Sequence, residues 1–498
     1  MAEEKHVSVI KNYLYSLSYQ ILLLIVPLIT MPYLARTLGI DNQGTFSILY
    51  AVTSCFVMFG CVGLNMYGQR EIAYYKNDRE KRNRIFWEIE LIRIFTLFIS
   101  LIVYFAFVWF NTKVKSVVNV YEPLYFVLFA LELPSAMLDI SWYYQGIENF
   151  RLQTVRNFIV KILGLVLILI LIKKPSDLWL YIVIYIGMNL LGNLSLWINK
   201  LRSDGFARPD TGKFKTHLSH SLVMFLPQIA TTVYAQLDRV MIGGLVNDGN
   251  LQAGVYDNAE KIVKIALTVV TSIALVMLSR VANTYMKNER NKAREYIYSS
   301  FRMYMCLGTP IMFGVAAIAD VFVERFFIDA ANAEMISPVI VLLCPIILFI
   351  GGSSVFGTQY LVPTNRMRPY TVSVFAGMAV NIVFNFIFIP AYGARGAAIA
   401  TVIAELTVLI VQMIALRHEF SPIMYVHCWR NFLSGAVMFF CVKGIGILIN
   451  SSTLISIFVQ IIAGVAVYFG LLFLMRDPFV GKYMNKVTDK LLKSKNDL

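Results

Sequence analysis

Charged residues stand inside long apolar stretches of this 498-residue sequence. A charge at the centre of a bilayer costs about 2.5 to 3.5 kcal/mol on insertion scales, so these side chains are expected to face water or a partner. The chemistry open to them is ion binding. The set contains six cations and seven acids: Arg93, Lys161, Lys261, Lys264, Arg302, Lys443, Glu88, Glu90, Glu132, Asp139, Asp257, Glu260 and Glu405.

Five cations are predicted to bind an anionic ligand. Lys and Arg make charge-assisted hydrogen bonds to phosphate oxygens, and the Arg fork can make two at once. The predicted binding residues are Arg93, Lys161, Arg239, Lys261 and Lys264. Two of them have an alternative, since Asp257 with Lys261 and Glu260 with Lys264 have the i to i+4 spacing at which charges on one helix pair.

Three acids are predicted to couple the protein to Na⁺ or H⁺: Glu132, Asp139 and Glu405. Glu132 and Glu405 are lone acids deep in small or apolar surroundings. Asp139 has a second interpretation, as an anchor at a helix end beside interfacial aromatic residues. The anchor is favoured because a turn at 146–151 follows closely.

Motifs for covalent chemistry are missing from the sequence. We find no DxD, HExxH, GxSxG or Walker pattern, and the six cysteines have no CxxC spacing. The sequence therefore predicts no enzyme activity, no metal site and no cofactor beyond a coupling ion. His217 and His220 form an HxxH pattern, which we interpret as a solvated helix start.

The composition places the chain in the membrane class. Hydrophobic residues make up 58% and charged residues only 15%, whereas soluble domains have about 25% charged residues. A multi-domain soluble enzyme is excluded. The net charge of +14 does not indicate nucleic-acid binding, because the basic residues are scattered in short gaps between apolar runs.

The elements that must hold these residues are transmembrane helices. A bilayer core needs about 20 residues of helix, and fourteen apolar runs fit that length. The predicted spans are 12–35, 43–67, 86–110, 120–144, 153–172, 177–199, 217–243, 252–282, 298–319, 333–356, 369–391, 394–416, 429–449 and 453–475. No room remains for a soluble domain.

Basic residues set the predicted orientation. Most of the 44 Lys and Arg residues fall in alternate loops, which the positive-inside rule assigns to the cytoplasm. The strongest marker is the segment 68–84, and the acidic loop around Asp320, Glu324 and Glu334 is predicted to lie outside. Both termini are therefore predicted to be cytoplasmic.

The first and seventh spans share a short pattern. Pro27 and Pro227 occupy comparable positions, and Gly44-Thr45-Phe46 corresponds to Gly254-Val255-Tyr256. Six spans separate the copies, so both have the same orientation and an axis along the membrane normal would relate the two halves. Chance similarity in an apolar alphabet is the alternative.

Several stretches resemble the Wzx-type polysaccharide and oligosaccharide flippases of the multidrug/oligosaccharidyl-lipid/polysaccharide exporter superfamily. The most specific are LDISWYYQGIENF from Leu138, QLDRVMIGGL from Gln236 and GVYDNAEKIVK from Gly254. The less specific ones begin at Lys11, Thr358 and Asn381.

The resemblance implies an all-α membrane fold similar to multidrug exporters: two pseudo-symmetric six-helix bundles around a central cavity, followed by two further helices. The implied divisions are 1–205, 206–420, 421–475 and a basic tail at 476–498. It also implies a function, the movement of an undecaprenyl-diphosphate-linked oligosaccharide across the bacterial cytoplasmic membrane for surface polysaccharide synthesis. Membrane lipids and other polysaccharide-assembly proteins are the implied partners.

Two other functions compete with this one. A drug or organic-cation exporter of the same superfamily would need an acidic cleft, and the near balance of intramembrane charges does not separate the two. A membrane glycosyltransferase or polymerase would also be apolar and basic, but no long outer loop is available for its catalytic motifs.

Overall fold

A computed structural model describes residues 22–114, 122–287, 289–328, 330–421, 424–426, 428–449, 453–477 and 481. Throughout these ranges the chain is helical, and they contain no β-strand. The predicted all-α membrane fold is confirmed for this part of the chain. Residues 12–21 of the first predicted span and 482–498 of the predicted tail lie outside the described residues.

The described residues form eighteen α-helices, joined by short turns. They are α1 (Leu22–Thr37), α2 (Ile40–Cys61), α3 (Leu64–Tyr74), α4 (Arg79–Val114), α5 (Pro123–Ala130), α6 (Glu132–Met137), α7 (Ser141–Gly146), α8 (Phe150–Leu171), α9 (Leu178–Ser203), α10 (Phe214–Leu245), α11 (Gly249–Met286), α12 (Arg290–Phe326), α13 (Ile336–Leu343), α14 (Ile346–Ser353), α15 (Met367–Tyr392), α16 (Ala394–Ala415), α17 (Cys428–Ile449) and α18 (Leu454–Leu474).

Ten helices among the described residues are long and apolar enough to cross a membrane, or eleven if a bent pair counts as one span. These helices coincide with eleven of the predicted spans. The other three predicted spans correspond to α1, of which the described part is short, and to α10 and α11. The total of fourteen stays a prediction.

Two predicted spans are broken by proline. Pro134 has no N–H to bond to the carbonyl of Ala130, and α5 ends at that residue. Pro345 likewise cannot bond to Val341, and the helices on either side of it are bent by 43°. The second half continues as a π-helix over Ser354–Leu361. Apolar periodicity predicted both spans but neither break.

A tight turn separates α2 from α3, where the sequence predicted one continuous span. Val62 and Gly63 have φ angles of 47° and 74°, in the left-handed region. A Cβ on Gly63 would also lie 2.7 Å from the carbonyl oxygen of Ser221 on α10, so only glycine fits this approach. The predicted second span therefore ends early, and α3 was missed.

The described chain forms two compact units. The first contains the described residues of 1–257 and 329–331, and the second those of 258–328 and 332–498. The first unit extends past residue 205 because α10 packs against α2, α3 and α4. The implied division into lobes at residue 205 stays a prediction.

Within the first unit, the two copies of the glycine motif contact each other. A Cβ on Gly44 would clash with the carbonyl oxygen of Asn250, and a Cβ on Gly254 would clash with that of Ile40. Position 40 thus faces 254 while 44 faces 250. The repeat and its axis along the membrane normal stay a prediction.

Candidate functional site

Lys161 lies near the middle of α8 and is half-buried, with Nζ 5.9 Å from the centre of the Tyr185 ring on α9. In the described part of the chain it forms no salt bridge or side-chain hydrogen bond. A cation–π contact contributes about 0.5 to 2 kcal/mol, less than the about 2.5 to 3.5 kcal/mol that a mid-bilayer charge costs. The contact with the Tyr185 ring does not by itself offset that cost, and anion binding by Lys161 stays a prediction.

Tyr185 belongs to an aromatic cluster that consists of Phe46, Tyr50, Phe129, Tyr181 and Tyr185. Phe46 is its centre, with ring centroids 4.6 Å from Tyr181, 5.2 Å from Tyr185 and 5.3 Å from Phe129. The rings come from α2, α5 and α9. Together they provide apolar faces and phenolic hydroxyl groups beside Lys161.

Glu132 begins α6 and lies close enough for its charge to act on Lys161. The Asn189 side chain on α9 lies near its carboxylate. Its Oε2 is buried and has no hydrogen-bond partner among the described residues. An unsatisfied buried acceptor costs about 1 to 3 kcal/mol, so this oxygen is a natural place for a proton or cation.

Arg93 lies on α4 in a closed network with no exposed surface. It donates from Nε and Nη2 to the two carboxylate oxygens of Glu90, at 3.1 and 3.2 Å. Nη1 donates to Asn65 at 2.9 Å and Nη2 to the carbonyl of Met137 at 3.0 Å. In this conformation Arg93 holds helices together, and its predicted contact with a ligand stays a prediction.

Arg239 lies on α10 and is paired with Asp257 on α11, Nε to Oδ1 at 2.9 Å. One position earlier on both helices, Tyr256 donates to Asp238 at 2.6 Å. All four side chains are buried. Two adjacent polar contacts thus join the QLDR and YDNAEK stretches that the sequence analysis singled out. The i to i+4 spacing did not predict them, because it finds only partners on the same helix.

Lys261 and Lys264 lie on the part of α11 that belongs to the second unit, and both are exposed. Lys264 pairs with Glu260 at 2.8 Å, the alternative that their spacing left open. Since Lys264 is 46% exposed, the pair adds about 0.3 to 0.5 kcal/mol. Lys161 belongs to the first unit, and the predicted role of these two lysines in binding stays a prediction.

The three predicted acids are divided between the two units, and in the first unit the charge of Asp139 acts on Glu132. Glu132 and Asp139 belong to the first unit, and Glu405 is buried on α16 in the second. Asp139 accepts a hydrogen bond at 3.0 Å from the backbone N–H of Ser141, the first residue of α7. This is the contact expected of an anchor at a helix end, whereas its coupling role stays a prediction.

His217 is not at a solvated helix start, so that prediction was wrong. Its ring is buried, with Nε2 3.0 Å from the Glu88 carboxylate and Nδ1 2.8 Å from the Tyr67 hydroxyl. Glu88 also accepts from the backbone N–H of Asp210 at 3.0 Å. The hydrogen-bonded chain Tyr67–His217–Glu88 therefore links α3, α10 and α4. Of the two histidines in the HxxH pattern, His220 is the exposed one.

A second polar network, which the sequence analysis did not predict, surrounds Asp204 just after α9. Its carboxylate lies 3.1 Å from Arg79, 3.2 Å from Arg82 and 3.6 Å from Lys200, and it accepts from the Tyr143 hydroxyl. Burial alone would raise the pKa of Asp204. The Tyr143 hydrogen bond and the neighbouring cations outweigh burial and hold the pKa below its ordinary value.

Solved structures of transporters share this fold. One is the lipid II flippase MurJ in an inward closed conformation, with a TM-score of 0.76 at 15% identity over 94% of this chain and 99% of that one. Another is an inward-facing MATE family transporter of the MOP superfamily, with a TM-score of 0.60 at 14% identity over 79% of this chain and 93% of that one. The fold is that of a multi-pass membrane transporter.

Sequence comparison identifies the family. The model described as "Polysaccharide biosynthesis protein" matches residues 9–281, more than half of the chain, and the chain belongs to this family. The model of the lipid II flippase MurJ matches residues 152–468. A relative from Escherichia coli (strain K12), described as "Putative O-antigen transporter", is 22% identical over 405 residues, 79% of this chain and 93% of the relative.

Proposed function

We propose that this protein moves an undecaprenyl-diphosphate-linked oligosaccharide from the cytoplasmic to the outer leaflet for surface polysaccharide synthesis. The family match and the transporter relatives support a flippase of lipid-linked sugar, and they favour neither a drug exporter nor a glycosyltransferase. In this proposal the protein lies in the bacterial cytoplasmic membrane with both termini inside. It catalyses no covalent step.

The observation that carries the proposal is Lys161. It is a half-buried cation inside an apolar span, and its polar contact in the described chain is the Tyr185 ring rather than a carboxylate. A diphosphate entering a membrane protein loses its hydration and needs a compensating cation. Lys161 can supply that charge without first breaking a salt bridge.

The aromatic cluster gives the same site a place for sugar. The Tyr185 ring lies next to Lys161 and packs against Phe46, so a sugar bound to the diphosphate can stack on the Tyr185 ring while the neighbouring tyrosine hydroxyls bond to it. The polyprenyl tail needs no such site because it can remain in lipid. Alternating access of the two bundles then releases the head on the other side.

Glu132 is proposed as the coupling residue. Because its charge acts on Lys161, a proton or Na⁺ on the free Oε2 would strengthen the hold of Lys161 on a phosphate, and loss of that ion would weaken it. Binding and release thereby follow the ion gradient. Transport by a Glu132→Gln variant that still followed an imposed gradient would contradict this assignment.

Arg93 and Arg239 enter later in the cycle. Arg239 would have to leave Asp257 before it could bind phosphate, and Arg93 would have to leave Glu90. Both exchanges require helices to move. We therefore place first contact with the substrate at Lys161.

Complementation of a flippase-deletion strain tests the proposal. Lys161→Gln should cause the lipid-linked repeat unit to accumulate in the inner leaflet at normal protein abundance, and Lys161→Arg should restore much of the surface glycan. Lys113→Gln, which removes an exposed lysine at the end of α4, is the matched control. Unchanged surface glycan with Lys161→Gln would remove Lys161 from the site.

A vesicle assay separates the flippase from a drug exporter. Purified protein in liposomes should move a lipid-linked oligosaccharide between leaflets and ignore fluorescent organic cations. Accumulation of the cations without movement of the glycolipid would overturn the proposed function.

A further inference from the structure

A cavity of about 500 Å³ lies within the second unit, and its lining shares no residue with the Lys161 site. Its wall is formed by the first turns of α12 and by the segment that follows α16. Both segments belong to loops that the charge distribution places on the cytoplasmic side. The lining residues that matter here are Asn291, Arg294, Tyr298, Arg417, His418 and Phe420.

The cations of this cavity lack carboxylate partners. Within the described chain, neither Arg294 nor Arg417 forms a salt bridge, and the buried Nε of Arg294 has no hydrogen-bond partner. The contact available to Arg417 is the neighbouring His418 ring, Nε to Nε2 at 3.0 Å. Arg294 lines the cavity and forms no salt bridge, so the N–H groups of its guanidinium are available to donate to an acceptor of a ligand.

The two acids on the wall do not cancel this charge. The Glu419 carboxylate is occupied by Arg366, which forms a salt bridge with it, and by the Tyr360 hydroxyl. Glu295 is exposed, and its charge acts on Lys292, one turn earlier on the same helix. The N-terminal end of α12, a helix of 37 residues, adds its positive dipole to the same side.

The floor of the cavity is rigid. Phe420 is buried and packs on Tyr360 and Tyr298, with ring centroids 5.0 and 5.8 Å apart. The Tyr298 hydroxyl accepts the backbone N–H of Ser421 at 2.9 Å, which fixes the segment that carries Arg417 and His418. The backbone that carries Arg417 and His418 is therefore held in place before a ligand arrives.

We propose that this cavity is a binding site for a phosphate-bearing anion on the cytoplasmic side of the second unit. Two arginines and a histidine around one cavity match the oxygens of a phosphate, and an arginine fork binds them two at a time. The volume is that of a small-molecule pocket rather than of a single-ion site. The anion is either the headgroup of an inner-leaflet lipid or a soluble phosphate compound.

Binding to the full-length protein in nanodiscs tests the proposal. The soluble probe is pyrophosphate in phosphatidylcholine discs, and the lipid probe is phosphatidylglycerol built into the discs. The readout is the rise in the thermal unfolding midpoint. We expect at least one probe to raise it in wild type, and Arg294→Gln or Arg417→Gln to weaken that response at least tenfold in apparent Kd. Lys292→Gln, an exposed lysine on the same turns of α12, should leave it unchanged.

The outcomes distinguish a soluble phosphate compound from a lipid headgroup, and they distinguish loss of binding from misfolding of a variant. A response to pyrophosphate identifies a soluble ligand, and a response to phosphatidylglycerol alone identifies a lipid headgroup. Because the Arg294 Nε has no partner to lose, Arg294→Gln without probe should unfold at the wild-type temperature. The response should also persist in Lys161→Gln, which separates this site from the transport site. No response to either probe, or an equal response in wild type and the Arg variants, would overturn the proposal.

Discussion

Arg239 on α10 donates from Nε to Oδ1 of Asp257 on α11 over 2.9 Å, and both side chains are more than nine-tenths buried. Removing one member of a buried ion pair costs about 3 to 5 kcal/mol because the other charge is left without compensation. The pair thus ties two helices of the first unit together. Any role of Arg239 in binding substrate requires this contact to open.

Arg239→Ala should therefore lower both the thermal unfolding midpoint and the amount of protein in the membrane. The double variant Arg239→Ala with Asp257→Ala should recover part of that loss, because no buried charge is left alone. Unfolding of the purified variants and immunoblots of membranes provide the measurement. If Arg239→Ala reached wild-type abundance and stability while surface glycan fell, Arg239 would be a substrate contact instead.

Gly254→Ala should be strongly destabilising. The added Cβ would lie closer to the backbone oxygen of Ile40 than the 3.0 Å that real Cβ atoms keep, so α2 and α11 would have to separate. Gly187 on α9 is the matched control, since a Cβ there has nothing within 4 Å. Gly187→Ala should be neutral or stabilising by about 0.5 to 1 kcal/mol. Equal unfolding midpoints for the two variants would contradict the close contact.

His217→Ala should lower the stability by about 1 to 3 kcal/mol, because the fully buried Glu88 loses a hydrogen-bond partner and Tyr67 loses another. His220 is on the same helix but exposed, so His220→Ala should change the unfolding midpoint little. Both variants can be compared by thermal unfolding in detergent. A larger effect at position 220 than at 217 would refute the buried chain Tyr67–His217–Glu88.

Asp204 gives a pH prediction. Its pKa is lower in the folded protein than in the unfolded chain, so its contribution is complete above the unfolded pKa of about 3.9 and is lost as the pH falls below that value. Wild type should unfold at a higher temperature than Asp204→Asn at neutral pH. The difference should shrink as the pH falls from about 5 to about 3. A difference that stayed constant over that range would show that the carboxylate charge contributes nothing.

The sequence predicted the spans well because apolar runs of bilayer length have few alternatives. It missed α3 because the run over 43–67 stays apolar through the turn at Val62, whose left-handed backbone has no signature except the following Gly63. It also missed the breaks at Pro134 and Pro345. A proline inside a membrane span can bend a helix or end it, and the outcome depends on neighbouring helices.

The site was predictable as a set of charges but not as pairs. Spacing on one helix found Glu260 with Lys264, which interact within α11. It could not find Arg239 with Asp257 or His217 with Glu88, since those partners come from different helices. It could not single out Lys161 either, because that residue differs from Arg93 only in the neighbours that the fold provides.

The packing of α10 against α2 and α3 has a consequence for synthesis of the chain. When α9 has left the ribosome, the faces of α2 and α3 that α10 will cover are still open, and the first unit must wait until residue 257 has been made. Elongation at about 5 to 20 residues per second makes that wait roughly 3 to 10 s. During this time the insertion machinery or lipid must cover the faces of α2 and α3 that α10 will later bury.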